Sequence, residues 1–255
     1  GIGGALTYES DAAHAPGTLV RVPLGSRELL GVVWDETAPM AGDSMQLRAI
    51  ASVLDGLTPL SAHWRQLVQF AAHYYQRSAG EVALAALPSQ LRDLSTEQWA
   101  RRLKRKSKVV AAFEGATQTI PEPTEEQAHV LADIAANKGP FLLFGNTGSG
   151  KTEVYLRAAQ TVLEHNPHAQ ILVMVPEINL TPQLEERFRA RFCPQWGAGC
   201  LVSMHSSLTP AQRLKNWLAA HSGEARIVLG TRMAVFASMP HLQLIVVDEE
   251  HDPSY

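Results

Sequence analysis

Cysteine is scarce. Cys193 and Cys200 are the two in 255 residues, and they form no CxxC pair. That argues against a disulfide framework or a paired-cysteine zinc motif, and leaves two small, semi-buried residues of a reducing compartment. No apolar run reaches the ~20 residues needed to cross a bilayer, and no secretory leader is visible. Membrane insertion is therefore not expected, and a cytoplasmic location is. Internal repeats and low-complexity tracts are lacking as well. The net charge of −3 carries no signature of nucleic acid. Gly1 stands where an initiator Met would be, so a preceding piece is expected. What remains is an ordinary globular composition, 45% hydrophobic, with room for one or two domains.

Within that plain background one stretch carries chemistry. Gly145-Asn146-Thr147-Gly148-Ser149-Gly150-Lys151-Thr152 fits G-x-x-x-x-G-K-[ST], the phosphate-binding P-loop. Phe141 to Phe144 before it reads as a short buried strand. Thr152 to His165 after it reads as a helix, with Val154, Ala158, Val162 and Leu163 at helical spacing. The glycines let backbone N–H groups close around phosphate oxygens, and the helix N-terminus adds positive potential. Lys151 would reach the outer phosphates and Thr152 would hold Mg2+.

A second motif narrows the class. The apolar run Leu242 to Val247 is of strand length and ends in Asp248-Glu249-Glu250-His251. Acids at the carboxyl end of a buried strand lie where open α/β sheets bind ligands. Asp248 would coordinate the Mg2+, Glu249 would polarise the attacking water, and His251 could sense the terminal phosphate. Alone, four such residues are a solvated turn; beside a P-loop they complete an NTPase.

Charge divides the chain. Residues 89–120 hold seven basic and three acidic side chains, with Arg101, Arg102, Lys104, Arg105, Lys106 and Lys108 clustered. This stretch reads as a basic linker, which could neutralise phosphates or simply be a solvated face. Before it, residues 1–88 form a small β-rich module. Gly17–Pro23 and Leu29–Trp34 are strands around a turn at Gly25, and Leu47–Leu54 is a further strand. Ser61 caps a helix with Trp64, Leu67, Val68, Ala71 and Tyr75 on one face, whose spacing favours packing over base stacking. Pro88 ends a second short helix. After the linker, residues 121–255 alternate strand and helix: Gln170–Pro176, Thr181–Phe192, Cys200–His205, Pro210–His221, Arg226–Gly230, Leu242–Val247. The pattern predicts an α/β lobe with a parallel sheet covered on both faces.

Taken in order, Thr124–Gln127, GNTGSGKTEVY (145–155), VMVPEINLTPQL (173–184), His205-Ser206, GEARIVLGTRMAVF (223–236) and LIVVDEEHDPSY (244–255) resemble the PriA (primosomal protein N′) family of superfamily 2 replication-restart helicases. LVRVPLG (19–25), LRAIASVLD (47–55) and the stretch from Tyr74-Tyr75 to Leu87-Pro88 are similar more loosely.

The resemblance implies a RecA-like P-loop lobe, residues 121–255, after an OB-like DNA-binding domain, residues 1–88, that captures the 3′ end of the nascent strand. It implies an ATP-dependent 3′-to-5′ DNA helicase that recognises abandoned forks and promotes primosome assembly. ATP and Mg2+ are the implied cofactors. Forked and single-stranded DNA, single-strand-binding protein and primosome proteins are the implied partners. By motif, Gln127 would read adenine, while Thr181, Gln183, Thr231 and Arg232 would contact single-stranded DNA through its backbone. Thr181-Pro182 could equally be a plain helix start. Gly25 and Arg48 match the 3′-end pocket; the alternative is that Gly25 merely makes a turn and Arg48 is a surface residue, and for Arg48 the two readings weigh equally. Thr7, within Leu6-Thr7-Tyr8, stands where the family has an acidic residue, so the manner of 3′-end recognition is open.

The family's winged-helix domain would be missing or reduced to the linker, and its second lobe, arginine finger and zinc-binding cysteines lie outside this sequence. Zinc is thus expected of the full-length family protein, with its ligands absent here. Residues 1–255 alone are expected to hydrolyse ATP poorly. Two other readings fit the motifs: a fork-DNA-binding module with an ATP switch, and another DExH-type nucleic-acid translocase.

Overall fold

A computed structural model describes residues 5–34, 47–104, 121–146 and 148–253. Thr147 and residues 105–120, including Arg105, Lys106 and Lys108 of the basic cluster, lie outside the described residues. Its contacts divide the chain into two compact units. One comprises residues 1–109, 206–222 and 236–240, the other residues 110–205, 223–235 and 241–255.

The first unit is organised by a hairpin. β1 (Leu19–Leu24) and β2 (Arg27–Val32) pair antiparallel across a two-residue turn, Gly25-Ser26, with Gly25 at φ +62°. β3 (Ser52–Val53) pairs with the other edge of β1. The strand expected over 47–54 is thus mostly irregular; ahead of β3 only Ala49 bridges, to Glu9. α1 (Ala62–Tyr74) starts at Ser61, whose hydroxyl accepts from the Trp64 N–H. It buries Trp64, Val68, Ala71 and Ala72, as its spacing requires. Tyr75 departs from that reading and is 68% exposed. The helix ends at Tyr74, so the 3.6-residue period no longer places the next side chain. α2 (Ala79–Ala86) opens with a full capping box between Ser78 and Glu81.

Residues 89–104, read from the sequence as linker, fold into α3 (Ser89–Asp93) and α4 (Thr96–Lys104). Leu91 and Trp99 are buried. Arg21 of β1, itself buried, donates from its guanidinium to the carbonyls of Leu91 (2.9 Å), Arg92 (2.5 Å) and Leu94. Charge composition suggested a solvated stretch; one buried cation that needs carbonyl partners anchors it instead. α8 (Pro210–Ser222) also belongs to this unit. Its His221 stacks on Trp217 and hydrogen-bonds Ser238 through Nδ1 (2.8 Å) and the Thr58 carbonyl through Nε2 (2.8 Å).

The second unit is a parallel sheet in the order β5-β6-β4-β7: β4 (Gln170–Met174), β5 (Leu201–Met204), β6 (Ile227–Gly230) and β7 (Leu242–Val247). α5 (Glu125–Ala136) precedes α6 (Lys151–His165), and α7 (Pro182–Trp196) follows β4. The core forms where Leu156, Ala159 and Leu163 of α6 and Phe188 and Phe192 of α7 meet Ile171, Val173, Leu201, Ile227 and Leu229 of the sheet. Cys193 and Cys200 sit in this core with sulfurs 3.9 Å apart, both free. They are more buried than expected, and burial pushes both thiols above the ordinary cysteine value.

Two expectations for this unit fail together. Phe141–Phe144 is not a strand: Phe141, Leu142 and Phe144 are exposed, Phe144 at 90%. Likewise β7 is not covered on both faces, since Leu244 and Val246 pack on the core while Ile245 and Val247 are exposed. An apolar run shows that a segment favours burial, but a strand forms only where a partner edge supplies its hydrogen bonds.

Candidate nucleotide site

The carboxyl edge of the parallel sheet carries Thr181, Thr231, Arg232 and Asp248 on the segments that follow its strands. After β4 the chain turns through a 3-10 segment, Glu177–Asn179, into α7, where Thr181 is the N-cap and Pro182 occupies the first turn. After β6 come Thr231 and Arg232. Gly230 has no room for a side chain there: a Cβ would lie 2.4 Å from the Ala234 Cβ and 2.7 Å from the Met204 carbonyl oxygen. After β7, the Asp248 N–H still donates to the Met174 carbonyl (2.8 Å), which holds the acidic motif against the end of β4.

The phosphate loop leads into α6 through Gly150, at φ +87°. A side chain there would strain the backbone and strike Gln127, since a Cβ would come within 2.4 Å of its Nε2. Lys151 lies folded over the loop, its Nζ donating to the carbonyls of Gly145 (2.6 Å) and Asn146 (3.2 Å). The Gln127 side chain spans two tasks. Its Oε1 accepts from the Thr124 N–H to close a capping box on α5, and its Nε2 donates to the Gly150 carbonyl (3.4 Å). Gly148 lies at φ +83°, and the Ser149 N–H donates to the Asn146 carbonyl.

Asp248 is tied to this loop by a residue that motif reading did not single out. Tyr155, buried on α6, donates its hydroxyl to Asp248 Oδ2 (3.2 Å). Thr152 is also within hydrogen-bonding reach of that phenol. The signal was present in the spacing, because Tyr155 lies three residues after Thr152 and shares its face of the helix. Burial raises the Asp248 pKa above the ordinary carboxylate value and Glu249 adds to the rise. The Tyr155 hydroxyl, the Glu249 N–H (3.1 Å to Oδ1) and the Lys151 charge oppose it. Lys151 and Asp248 therefore share one electrostatic environment. Glu249 adopts a left-handed backbone, φ +49°, that few non-glycine residues occupy. His251 is exposed, 3.5 Å from the Glu249 carboxylate.

A second unpredicted feature lies behind the loop. The buried Glu153 carboxylate meets Arg157 (2.9 Å) on its own helix and Arg191 (3.3 Å) and Arg187 (3.6 Å) on α7. This cluster pins α7 to α6. Of the residues read as strand contacts, Thr181, Gln183 and Arg232 are exposed. Thr231 is buried, its N–H donating to the Met204 carbonyl. In the first unit, Arg48 donates to the Gly25 carbonyl (3.3 Å), and Tyr8 donates to the Pro23 carbonyl (3.1 Å) on the same hairpin. Among the described residues no group of three His, Cys, Asp or Glu is placed to hold a metal ion, and no helix is long and apolar enough to cross a membrane.

The family model for DEAD/DEAH box helicases matches residues 124–254, and that for the PriA 3′ DNA-binding domain matches residues 2–88. The chain belongs to the PriA family of DEAD/DEAH box helicases. Replication restart protein PriA of Helicobacter pylori is 33% identical over 250 residues, covering 98% of this chain and 36% of the relative. PriA of Haemophilus influenzae is 31% identical over 315 aligned positions, covering 96% of this chain and 42% of the relative. PriA of Bacillus subtilis is 45% identical over 115 residues, 45% of this chain and 13% of the relative. The chain thus spans about a third of the length of the first of these relatives. The fold is that of a RecA-like lobe following a small β domain.

Proposed function

We propose that this chain is the nucleotide-binding lobe and DNA-binding domain of an ATP-dependent 3′-to-5′ DNA helicase that recognises abandoned replication forks and promotes primosome assembly. The observation that carries the reading is the Tyr155 hydroxyl joining Thr152 to Asp248 at the carboxyl edge of a parallel sheet, with the Lys151 charge acting on the same carboxylate. That donor set suits a nucleotide with its metal: an ammonium, a hydroxyl, a carboxylate and a glycine loop at a helix N-terminus.

Each residue has a task in this reading. Gly145, Thr147, Gly148, Ser149 and Gly150 present backbone N–H groups to phosphate oxygens, and Lys151 neutralises the outer phosphates. Thr152 and Asp248 hold Mg2+, which when bound spreads the charge of the transferring phosphoryl group. Glu249 orients the attacking water, and its strained backbone fixes the carboxylate beside Asp248. His251, paired with Glu249, reports the state of the terminal phosphate. Gln127 contacts adenine from the end of α5. Thr181, Gln183, Thr231 and Arg232 hold the phosphodiester backbone of a single strand, with Thr231 acting from a buried position. Gly25 and Arg48 receive the 3′ end, the arginine supplying positive charge and the glycine a close backbone approach.

Forked and single-stranded DNA, single-strand-binding protein and primosome proteins are the proposed partners, and the cytoplasm the proposed location. Residues 1–255 alone hydrolyse ATP poorly in this reading, because an arginine supplied across the cleft is worth roughly 10³–10⁵ in phosphoryl transfer.

Strand displacement on forked DNA by the intact protein tests the proposal. Lys151→Ala is expected to abolish unwinding and leave fork binding in place. Unwinding at the wild-type rate by that variant would refute the motor reading, and strong DNA-stimulated turnover by residues 1–255 alone would refute the need for a second lobe.

A further inference from the structure

The face of α1 opposite its core contact is not the polar surface an amphipathic helix normally shows to water. Phe70 is 65% exposed, and Tyr74 and Tyr75 are each 68% exposed. The Phe70 and Tyr74 rings stack, with centroids 6.1 Å apart and planes at 24°. Tyr75 meets Tyr74 edge-on, centroids 5.0 Å apart. Three contiguous exposed rings form a patch of the kind that marks an interaction surface.

Charge around the patch selects the partner. From Gly56 to Gly80 the chain carries Arg65, Arg77, His63 and His73 and no carboxylate at all. The next acid, Glu81, has its carboxylate turned to the Ser78 N–H at the α2 cap (3.2 Å). The negative end of α1 is quenched too. The Ala71 carbonyl accepts from Tyr75 N–H, that of Ala72 from Arg77 N–H, and that of His73 from the backbone and side chain of Gln76. The rings thus lie in a stretch that carries two arginines, Arg77 only two residues beyond Tyr75, and no anion. A nucleic-acid strand, with π-faced bases on a phosphate backbone, fits that combination better than an apolar protein surface does.

We propose that Phe70, Tyr74 and Tyr75 form a base-stacking platform for single-stranded DNA at the C-terminal end of α1, separate from the Gly25–Arg48 corner. The inference rests on the DNA-binding reading above and adds a second, sequence-tolerant contact to it. Bases buried in a duplex cannot reach the rings, so the platform favours single strands.

The test measures binding of the intact protein to a fluorescent oligo-dT strand and to a duplex of the same length. It compares wild type, the triple variant Phe70→Ala/Tyr74→Ala/Tyr75→Ala, and the double variant Tyr74→Phe/Tyr75→Phe. Each stacked ring is worth roughly five- to a hundredfold in affinity. The alanine variant should therefore lose tenfold or more for the single strand, with its duplex affinity and melting temperature unchanged. The phenylalanine variant should stay within about twofold of wild type. Photo-crosslinking of a 5-iodouracil strand should label one or more of the three rings. Wild-type affinity in the alanine variant, or crosslinks confined to other residues, would overturn the platform while leaving fork binding by the wild type standing. Failure of the wild type to bind any DNA would overturn the function proposed above as well.

Discussion

The nucleotide corner and the Gly25–Arg48 corner hold their charged groups in opposite ways. At the nucleotide corner the carboxylate of Asp248 is half-buried, fixed by Tyr155 and the Glu249 N–H, and sits at the end of a strand paired parallel to β4. At the hairpin, Arg48 is exposed and makes one long hydrogen bond to a turn carbonyl. The first arrangement is preorganised before any ligand arrives. The second leaves a solvated cation at the surface, suited to a charged partner and costing little to rearrange. Burial decides the difference: a desolvated charge must be fully partnered, whereas a solvated one is free to wait.

Substitutions can break this contrast. The largest effect is expected from Arg21, a buried cation of the hairpin unit whose guanidinium is held by three carbonyls. Arg21→Met should cost about 3 kcal/mol, since it strands the carbonyls of Leu91, Arg92 and Leu94. Chemical denaturation reads this directly, and an unchanged midpoint would mean that α3 and α4 are held by other contacts.

Next is His221, whose burial lowers its pKa below the ordinary value, against a smaller opposing effect of the Thr58 carbonyl. A depressed histidine contributes stability that is present above the unfolded pKa of about 6.5 and lost as pH falls toward the folded value. Thermal melts should therefore show stability dropping on acidification below about pH 6.5, with a limiting slope of about 1.4 kcal/mol per pH unit. His221→Gln should flatten that part of the profile; an identical profile would exclude His221 as its source.

Tyr155→Phe should weaken Mg2+-dependent nucleotide binding by about 1 kcal/mol. It also removes a hydrogen bond that holds the Asp248 pKa down, so the acid-side loss of Mg2+ binding should move to higher pH. Titration calorimetry at several pH values would show it, and a shift toward lower pH would contradict the geometry. The smallest effect belongs to Arg48→Ala: a several-fold loss of DNA affinity, a salt dependence reduced by about one phosphate contact, and no change in stability. A large loss of stability would mean that Arg48 is structural rather than a waiting cation.

Local signals made several elements legible. Ser61 as a cap, Gly25 as the hairpin turn, and the mainly apolar runs at 170–174, 227–230 and 242–247 each mark their element, because caps, turns and buried strands depend on nearby residues. The P-loop and the acidic motif were readable for the same reason. Tyr155 was not, although its spacing was visible, because its value depends on Asp248, 93 residues away. Composition gave residues 89–104 as a linker, and could not show that Arg21, far away in sequence, supplies a buried guanidinium to the carbonyls of Leu91, Arg92 and Leu94. Phe141–Phe144 failed in the other direction, its apolar character overruled by the absence of a paired edge.

By itself, the order of residues determined the phosphate loop, the acidic turn after β7, the alternation of strand and helix, and membership of the helicase family, since each is written in contiguous segments. Only the tertiary structure decided that a tyrosine joins the loop to Asp248, that Glu153 gathers three arginines across two helices, and that Phe70, Tyr74 and Tyr75 lie exposed at the end of α1 while Trp64 is buried. Those outcomes depend on which surfaces meet, and burial and long-range hydrogen bonding select that after the local elements have formed.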